Sequence, residues 1–169
     1  MTVYSKTNPI GLDRKLLRLQ EKIDLIGWTD IDVYGRLYID EVNSVKVPKT
    51  HVGSGEYKEV LIDDRKTAVF GFFVGDTRSG LSMISVPVQL VCTCNLDKIF
   101  NSTERKDEEA IMQVLKIIKR NTMIVHEQGI QTGFSNVFSQ LSLDRYKFRD
   151  SHPWLNFSIG FDIVYRNEI

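Results

Sequence analysis

The side chains that most often carry out chemistry are few in this chain and are far apart. Cys92 and Cys94 occupy alternate positions of one apolar segment, so an extended strand would hold both thiols on one side, about 7 Å apart. A zinc site of the usual kind needs a second ligand pair at a short spacing, and the sequence has none. The three histidines, His51, His126 and His152, follow no metal-binding spacing. We therefore expect both thiols to be small buried side chains.

Hydrolytic chemistry has only one weak set of candidates. Asp63 and Asp64 are adjacent, and with His126 or His152 they would give a metal-dependent nuclease or hydrolase its ligands. Paired acids at a turn are more often simply solvated. The glycine-bearing segments contain neither the phosphate-binding GxxxxGK[ST] pattern nor GxGxxG before a helix, and GxSxG is absent. No cofactor, metal or catalytic residue is expected.

Tyr34, Arg36 and Tyr38 lie on the more polar side of a predicted strand. Tyrosine and arginine in this arrangement can stack on RNA bases. The same residue types are enriched where one protein subunit contacts another. Because few basic residues surround them, a contact between subunits is the better interpretation.

The composition predicts one globular domain of 169 residues. The 22 basic and 22 acidic residues balance, whereas a protein that coats nucleic acid has a basic excess. No apolar run approaches the roughly 20 residues of a membrane span, and the first residues lack the apolar core of a secretory signal. We expect no membrane partner and a cytoplasmic place of assembly, in keeping with two unpaired cysteines.

Two amphipathic helices and two long strands form the predicted frame. Leu12–Ile26 and Glu104–Arg120 carry apolar residues at three- and four-residue spacing, typical of helices that cover a sheet. Ser82–Leu96 and Leu155–Tyr165 alternate apolar and polar residues, as half-buried strands do. A strand as long as Ser82–Leu96 can extend past its own core and offer backbone to a neighbour, and Pro87 indicates an edge or a bulge in it.

The segments between these elements are predicted less sharply. Ile31–Ile39 alternates as a strand, and Glu41–Glu56 has the composition of a long flexible loop that becomes ordered on a partner. Residues 59–62 and 68–74 are predicted to form a hairpin around a polar tip at residues 63–66. The second strand, AVFGFFV, is apolar throughout and is expected to be buried on both faces. Further on, a short strand at residues 122–125, a polar connection at 127–136 and an ambiguous segment at 137–146 are expected. The fold class is α+β: an antiparallel sheet with two helices on one face, and long strands and loops that extend to neighbouring subunits.

This order of elements resembles the tail-terminator and neck proteins of tailed bacteriophages. The likeness is carried by the helix Leu12–Ile26 and by the long strand Ser82–Leu96 that leads into the helix Glu104–Arg120. It is also carried by the ending PWLNFSIGFDIVYR, Pro153–Arg166, which is similar to the family's closing strand of alternating aromatic residues. The resemblance spans nearly the whole of residues 1–169, as one tail-terminator-like domain with the loop 41–57 as an interaction arm. Tail terminators, head-completion rings and the neck rings of crAss-like podoviruses all fit.

The resemblance implies a structural protein of the virion that carries out no chemistry. Members form a closed ring of six or twelve copies between the portal–adaptor complex and the tail, around a channel through which DNA passes without sequence-specific binding. Assembly would take place in the cytoplasm of the bacterial host. The expected contacts are the arm Val45–Tyr57, the tip Asp63–Lys66 and the connection Glu127–Asn136. The residues named for these contacts are Tyr34, Arg36, Tyr38, Val45, Lys46, Val47, Pro48, His51, Tyr57, Asp63, Asp64, Arg65, Lys66, Glu127, Gln128, Gln131 and Phe134.

Two alternatives from other classes remain. The metal-dependent hydrolase predicts that metal stabilises the fold. A monomeric binding module predicts a single partner held by the arm Glu41–Glu56.

Overall fold

The fold is a mixed sheet with helices on both of its faces, as seen in a computed structural model that describes residues 1–60, 63–80, 82–121, 123–145 and 151–166. The helices are α1 (Gly11–Ile23), α2 (Leu96–Phe100), α3 (Asp107–Lys119) and α4 (Phe134–Val137), with 3₁₀ turns at Asp24–Ile26 and Leu143–Arg145. The strands are β1 (Thr2–Tyr4), β2 (Ile31–Val42), β3 (Val45–Gly53), β4 (Glu56–Glu59), β5 (Ala68–Val74), β6 (Arg78–Ser79), β7 (Met83–Asn95), β8 (Ile124–Thr132) and β9 (Trp154–Arg166).

The nine strands form one sheet in the order β4-β3-β2-β5-β7-β9-β8. β1 lies beside β2, and β6 lies beside β7. Most neighbours are antiparallel, which confirms the α+β class. The pairs β1–β2 and β2–β5 are parallel. The connection through α1 returns the chain beside β1 in the same direction, and the excursion through β3 and β4 does the same for β5 beside β2. The sheet is therefore mostly, not purely, antiparallel.

The main core lies between one face of the sheet and the two long helices, as predicted. α1 buries Leu12, Leu16, Leu19 and Ile23 against this face. α3 buries its own apolar stripe in the same core, and alternate residues of β7 and β9 complete it. The 3.6-residue and two-residue periods identified these four elements because each has one wholly buried side.

β7 is central, so the expectation of an edge at Pro87 is wrong. β7 pairs with β9 from Met83 to Asn95, and this pairing leaves no β7 backbone on that side for a neighbouring subunit. On its other side the β5 pairing ends at Val88, and the Pro87 carbonyl accepts a hydrogen bond from the Gly75 N–H. The proline thus sits where β5 leaves the ladder, and its missing N–H removes no rung there.

The expected flexible loop at Glu41–Glu56 is wrong, because this segment folds into strands without a partner. Two-residue turns at Asn43-Ser44 and Ser54-Gly55 connect β2, β3 and β4. All four turn residues have positive φ, between 50° and 75°, which is the backbone of the hairpin turns that match strand twist. We call Tyr38–Val42 together with β3 and β4 the ribbon.

The expected hairpin of residues 59–62 with 68–74 is also wrong. β4 pairs with β3, whereas β5 lies between β2 and β7; Leu61 and Ile62 lie outside the described residues. β5 is buried on both faces, as its uninterrupted apolar run predicted.

The polar connection expected at Glu127–Asn136 is largely an edge strand. β8 pairs with β9 from Ile124 to Thr132, with two bulges, and Thr122 lies outside the described residues. The strand was missed because the glycine and the polar residues of this segment are typical of a loop. Its position in the sheet is set by its pairing with β9. The ambiguous segment 137–146 follows α4 and contains a 3₁₀ turn, with Tyr146 outside the described residues.

The helix expected at Glu104–Arg120 begins three residues later, at Asp107. Before it, the short helix α2 starts at an Asn95 cap, whose side-chain oxygen accepts from the Lys98 N–H at 3.2 Å. Among the described residues, no helix is both long and apolar enough to cross a membrane.

Candidate interaction site

Four of the predicted contact residues, three on the ribbon and Arg36 just before it, lie close together. The Tyr57 ring lies 5.8 Å from the Tyr38 ring and 5.6 Å from the His51 ring, edge to face in both cases. The Arg36 guanidinium lies over the Tyr38 ring, 5.2 Å from its centre. Such contacts are favourable, and arginine and tyrosine are common at protein interfaces. Together these four residues form a cation–aromatic cluster.

A shift in strand register places this cluster on the helix-covered side. Val33 pairs with Phe70, but Arg36 pairs with Phe72, so β2 has one extra residue relative to β5. The bulge moves the side chains of Arg36 and Tyr38 to the face that α1 covers. Tyr34, before the bulge, lies on the opposite face and stacks on Tyr4 with ring centres 4.6 Å apart. Tyr34 is therefore separate from Arg36 and Tyr38, although the three were predicted together.

Two ion pairs hold the cluster in place. Lys6 Nζ lies 2.7 Å from Asp13 Oδ2 of α1 and donates to the Tyr38 hydroxyl at 3.4 Å. The hydrogen bond to Asp13 raises the pKa of Lys6. Across the ribbon, Lys49 donates to Asp40, and this hydrogen bond lowers the pKa of the Asp40 carboxyl. Lys6 thus links Tyr38, the first residue of the ribbon, to α1.

Some side chains of the ribbon are buried within the chain and others are exposed. Val47 and Pro48, both predicted as contacts, are buried in the chain itself, so their role in binding a partner is not supported. The Lys46 backbone is fixed to Ser142, which donates its N–H to the Lys46 carbonyl at 3.0 Å and accepts from the Lys46 N–H at 2.9 Å. In contrast, Ile39, Val42 and Tyr57 are exposed.

The predicted tip at residues 63–66 is a turn that satisfies its own polar groups. Arg65 donates to both carboxylate oxygens of Asp63, at 2.8 and 2.7 Å, and this lowers the pKa of Asp63. Lys66 lies 3.0 Å from Asp30 and 3.4 Å from the buried Asp32. The pKa of Tyr34 is raised, first by burial and then by the charge of Asp32.

A groove runs over the face of the sheet that α1 and α3 leave uncovered. It encloses about 370 Å³ and is lined by five carboxamide side chains, those of Gln89, Gln128, Gln131, Asn136 and Gln140. We call it the amide groove. It continues into a slot of about 420 Å³ that ends at Arg36, Tyr38 and Ile39.

The amide groove is built on hydrogen bonds between neighbouring strands. Gln89 Nε2 donates to Ser158 Oγ at 2.9 Å and to Gln131 Oε1 at 3.2 Å. Gln128 Nε2 donates to Asp162 Oδ1 at 2.6 Å. Gly160 lies under Gln128, where a Cβ would meet Gln128 Cβ at 3.1 Å. Carboxamides carry both donors and acceptors, so the lining of the groove can exchange hydrogen bonds with a ligand.

Sequence reasoning found two of the five groove amides, Gln128 and Gln131. Gln89 and Gln140 are far apart along the chain, and only the strand order brings them together. Phe134 is not a surface contact residue: it is 1% exposed and packs in the smaller core under α4. Glu127 is exposed on β8 and lies 3.4 Å from Lys119 of α3.

The residues of the hydrolase alternative do not converge. In the described part of the chain no three His, Cys, Asp or Glu side chains could jointly hold a metal ion. Asp63 is engaged by Arg65, and His152 Nε2 lies 3.1 Å from Asp97 Oδ1; the His126 side chain lies outside what is described. Cys92 and Cys94 are buried, and burial raises the pKa of the Cys92 thiol.

No protein-family model matches the chain, and neither a curated protein nor a solved structure is significantly similar to it.

Proposed function

We propose that the chain is a structural subunit of a ring at the head–tail junction of a tailed bacteriophage, of the tail-terminator or neck type. The order of elements supports this proposal. The first helix, the long strand before a second long helix, and the closing strand are all present, and these carry the resemblance in the sequence.

One observation carries the proposal furthest: the two ends of the sheet each expose apolar side chains. At one end the ribbon exposes Ile39 and Val42, and at the other β8 exposes Val125 and Ile130. Two separate apolar surfaces at opposite ends of a subunit suit head-to-tail contacts, which close into a ring when the rotation between copies allows it. A two-fold dimer would instead need one self-complementary surface.

The charge balance is consistent with a channel that DNA crosses. With 22 basic and 22 acidic residues, the subunit lacks the phosphate-neutralising excess that makes DNA binding tight and salt-dependent. A ring of such subunits leaves DNA free to move. Its partners in this proposal are the portal–adaptor complex on one side and the tail on the other, within the virion.

Native mass spectrometry of the purified chain tests the proposal. A species of six or twelve times the 19.5 kDa subunit, seen as a closed ring by negative-stain microscopy, is the expected result. The measurement is repeated with portal–adaptor and tail proteins, since some rings close only on a partner. A monomer under all these conditions would overturn the proposal, and a tight one-to-one complex would favour the binding module.

A further inference from the structure

We propose that the turn at the end of the ribbon, Val42–Val45, docks into the amide groove of the next copy. This inference rests on the proposed ring and identifies the contact between its subunits. It joins the β4-β3-β2 end of one sheet to the β8 end of the next, and so has the head-to-tail geometry that ring closure requires.

The turn has the chemistry that the groove accepts. Its sequence is Val-Asn-Ser-Val, with no charge, and Val42, Asn43 and Ser44 are exposed. Both central residues have positive φ, so the turn is preformed and loses little freedom when it binds. It offers backbone N–H groups, a carboxamide and a hydroxyl, flanked by two aliphatic side chains.

The groove has a matching surface. Its side-chain lining is made of carboxamides and hydroxyls, and Gln140 has no hydrogen-bond partner among the described residues. A charged segment would lose its hydration in this uncharged groove without gaining a counter-ion, whereas an uncharged turn exchanges hydrogen bonds with water for hydrogen bonds with amides.

The turn cannot fill the groove of its own copy. Two hydrogen bonds between Lys46 and Ser142 fix the ribbon beside the segment that follows α4. With the ribbon held there, the groove remains open. A turn from a neighbouring copy therefore has both an accessible site and a rigid arm to reach it.

Cross-linking between singly substituted chains tests this contact. Ser44→Cys chains are mixed with Gln131→Cys chains and treated with a short bismaleimide, so that a mixed cross-link can form only between copies. The native Cys92 and Cys94 are buried and give little background. The matched control mixes Ser44→Cys chains with Met112→Cys chains, since Met112 is exposed on α3, over the opposite face.

The expected result is a covalent 44–131 dimer at a yield at least about tenfold above the 44–112 control. Rings that form without a 44–131 cross-link, or with equal yields for both pairs, would overturn this inference and leave the proposed ring intact. Failure of the unsubstituted chain to form rings, alone or with its partners, would overturn the proposed function itself.

A charge exchange gives an independent measurement. The variant with Asn43→Asp and Gln140→Glu places like charges on the turn and in the groove, and should weaken ring assembly about tenfold or more. Replacing Gln140→Glu by Gln140→Lys in the same background should restore assembly. Equal assembly of the two variants would contradict docking of the turn in the groove.

Discussion

One strand, β2, passes through two regions that are held together in different ways. Its first half, Ile31–Leu37, pairs with β5 on one side and partly with β1 on the other, under α1. Its second half, Tyr38–Val42, pairs only with β3 among the described residues. Val33 is fully buried, whereas Val42 is 46% exposed. One strand thus begins in the core and, within a few residues, continues into an arm that projects from it.

The difference indicates how the protein combines a stable body with an accessible contact surface. In the first half, apolar burial supplies the free energy of folding. In the second half, turns with positive φ and a few polar contacts hold the hairpin, which buries little apolar surface. A preformed arm of this kind is available to a neighbour at a low cost in entropy.

The largest contrast is expected from one substitution made in both halves of β2. Val33→Ala removes two methyl groups from the core and leaves a cavity, and should lower the free energy of unfolding by about 2–3 kcal/mol. Val42→Ala should change it by no more than about 0.5 kcal/mol. Urea unfolding of both variants measures the difference, and equal effects would show that the ribbon belongs to the core.

A somewhat smaller effect is expected where the two halves meet. A Cβ at Gly71 would lie 2.7 Å from Leu37 Cδ1 and 2.9 Å from Leu37 Cγ. Gly71→Ala should therefore overpack this point and lower the free energy of unfolding by about 1–2 kcal/mol. In the double variant with Leu37→Ala the clash is absent, so the two single effects should not add. Additive effects would show that the leucine moves aside freely.

The body of the fold was predictable from the sequence because its elements bury one whole side. β7 and β9 place every second residue in the core over 13 residues each, and α1 and α3 repeat theirs with helical spacing. The ribbon was missed because Asn43-Ser44 is not one of the strong turn dipeptides, and because Gly53 and Gly55 gave β3 and β4 the composition of a linker.

The interaction site was predictable only in part. Tyr38 was predicted from its residue type, and His51 and Tyr57 as parts of the arm. The antiparallel register of the ribbon brings the three together. The amide groove was not predictable, because Gln89 and Gln140 become neighbours only through the strand order. Phe134 and Val47 were predicted as contacts because they fall in segments expected to be loops, but both are buried, since these segments fold into elements with one covered side.

Strain in a turn should affect the ribbon more than the body. Gly55 has φ of 75°, and a Cβ added there would have no atoms within 4 Å, so a side chain at this position meets only backbone strain. Gly55→Ala should destabilise the turn by about 1 kcal/mol. Hydrogen exchange should accelerate in β4 and stay unchanged in β7 and β9. Gly55→Asn is the matched control, since asparagine tolerates this conformation, and equal acceleration in all three strands would contradict a separable ribbon.

The smallest effect is expected from pH, at the ion pair that crosses the ribbon. The hydrogen bond from Lys49 lowers the pKa of Asp40 in the folded chain. Its contribution to stability is therefore complete above the unfolded pKa of about 3.9 and is lost as the pH falls through the lower, folded value. Asp40→Asn should slightly raise hydrogen exchange in β3 relative to the parent chain at pH 6, and the two chains should converge once the pH has fallen below the lowered, folded pKa of Asp40. Glu41→Gln, one residue further along, is the control. A difference between the Asp40→Asn and parent chains that persists at low pH would show that the charge of Asp40 has little part in holding the ribbon.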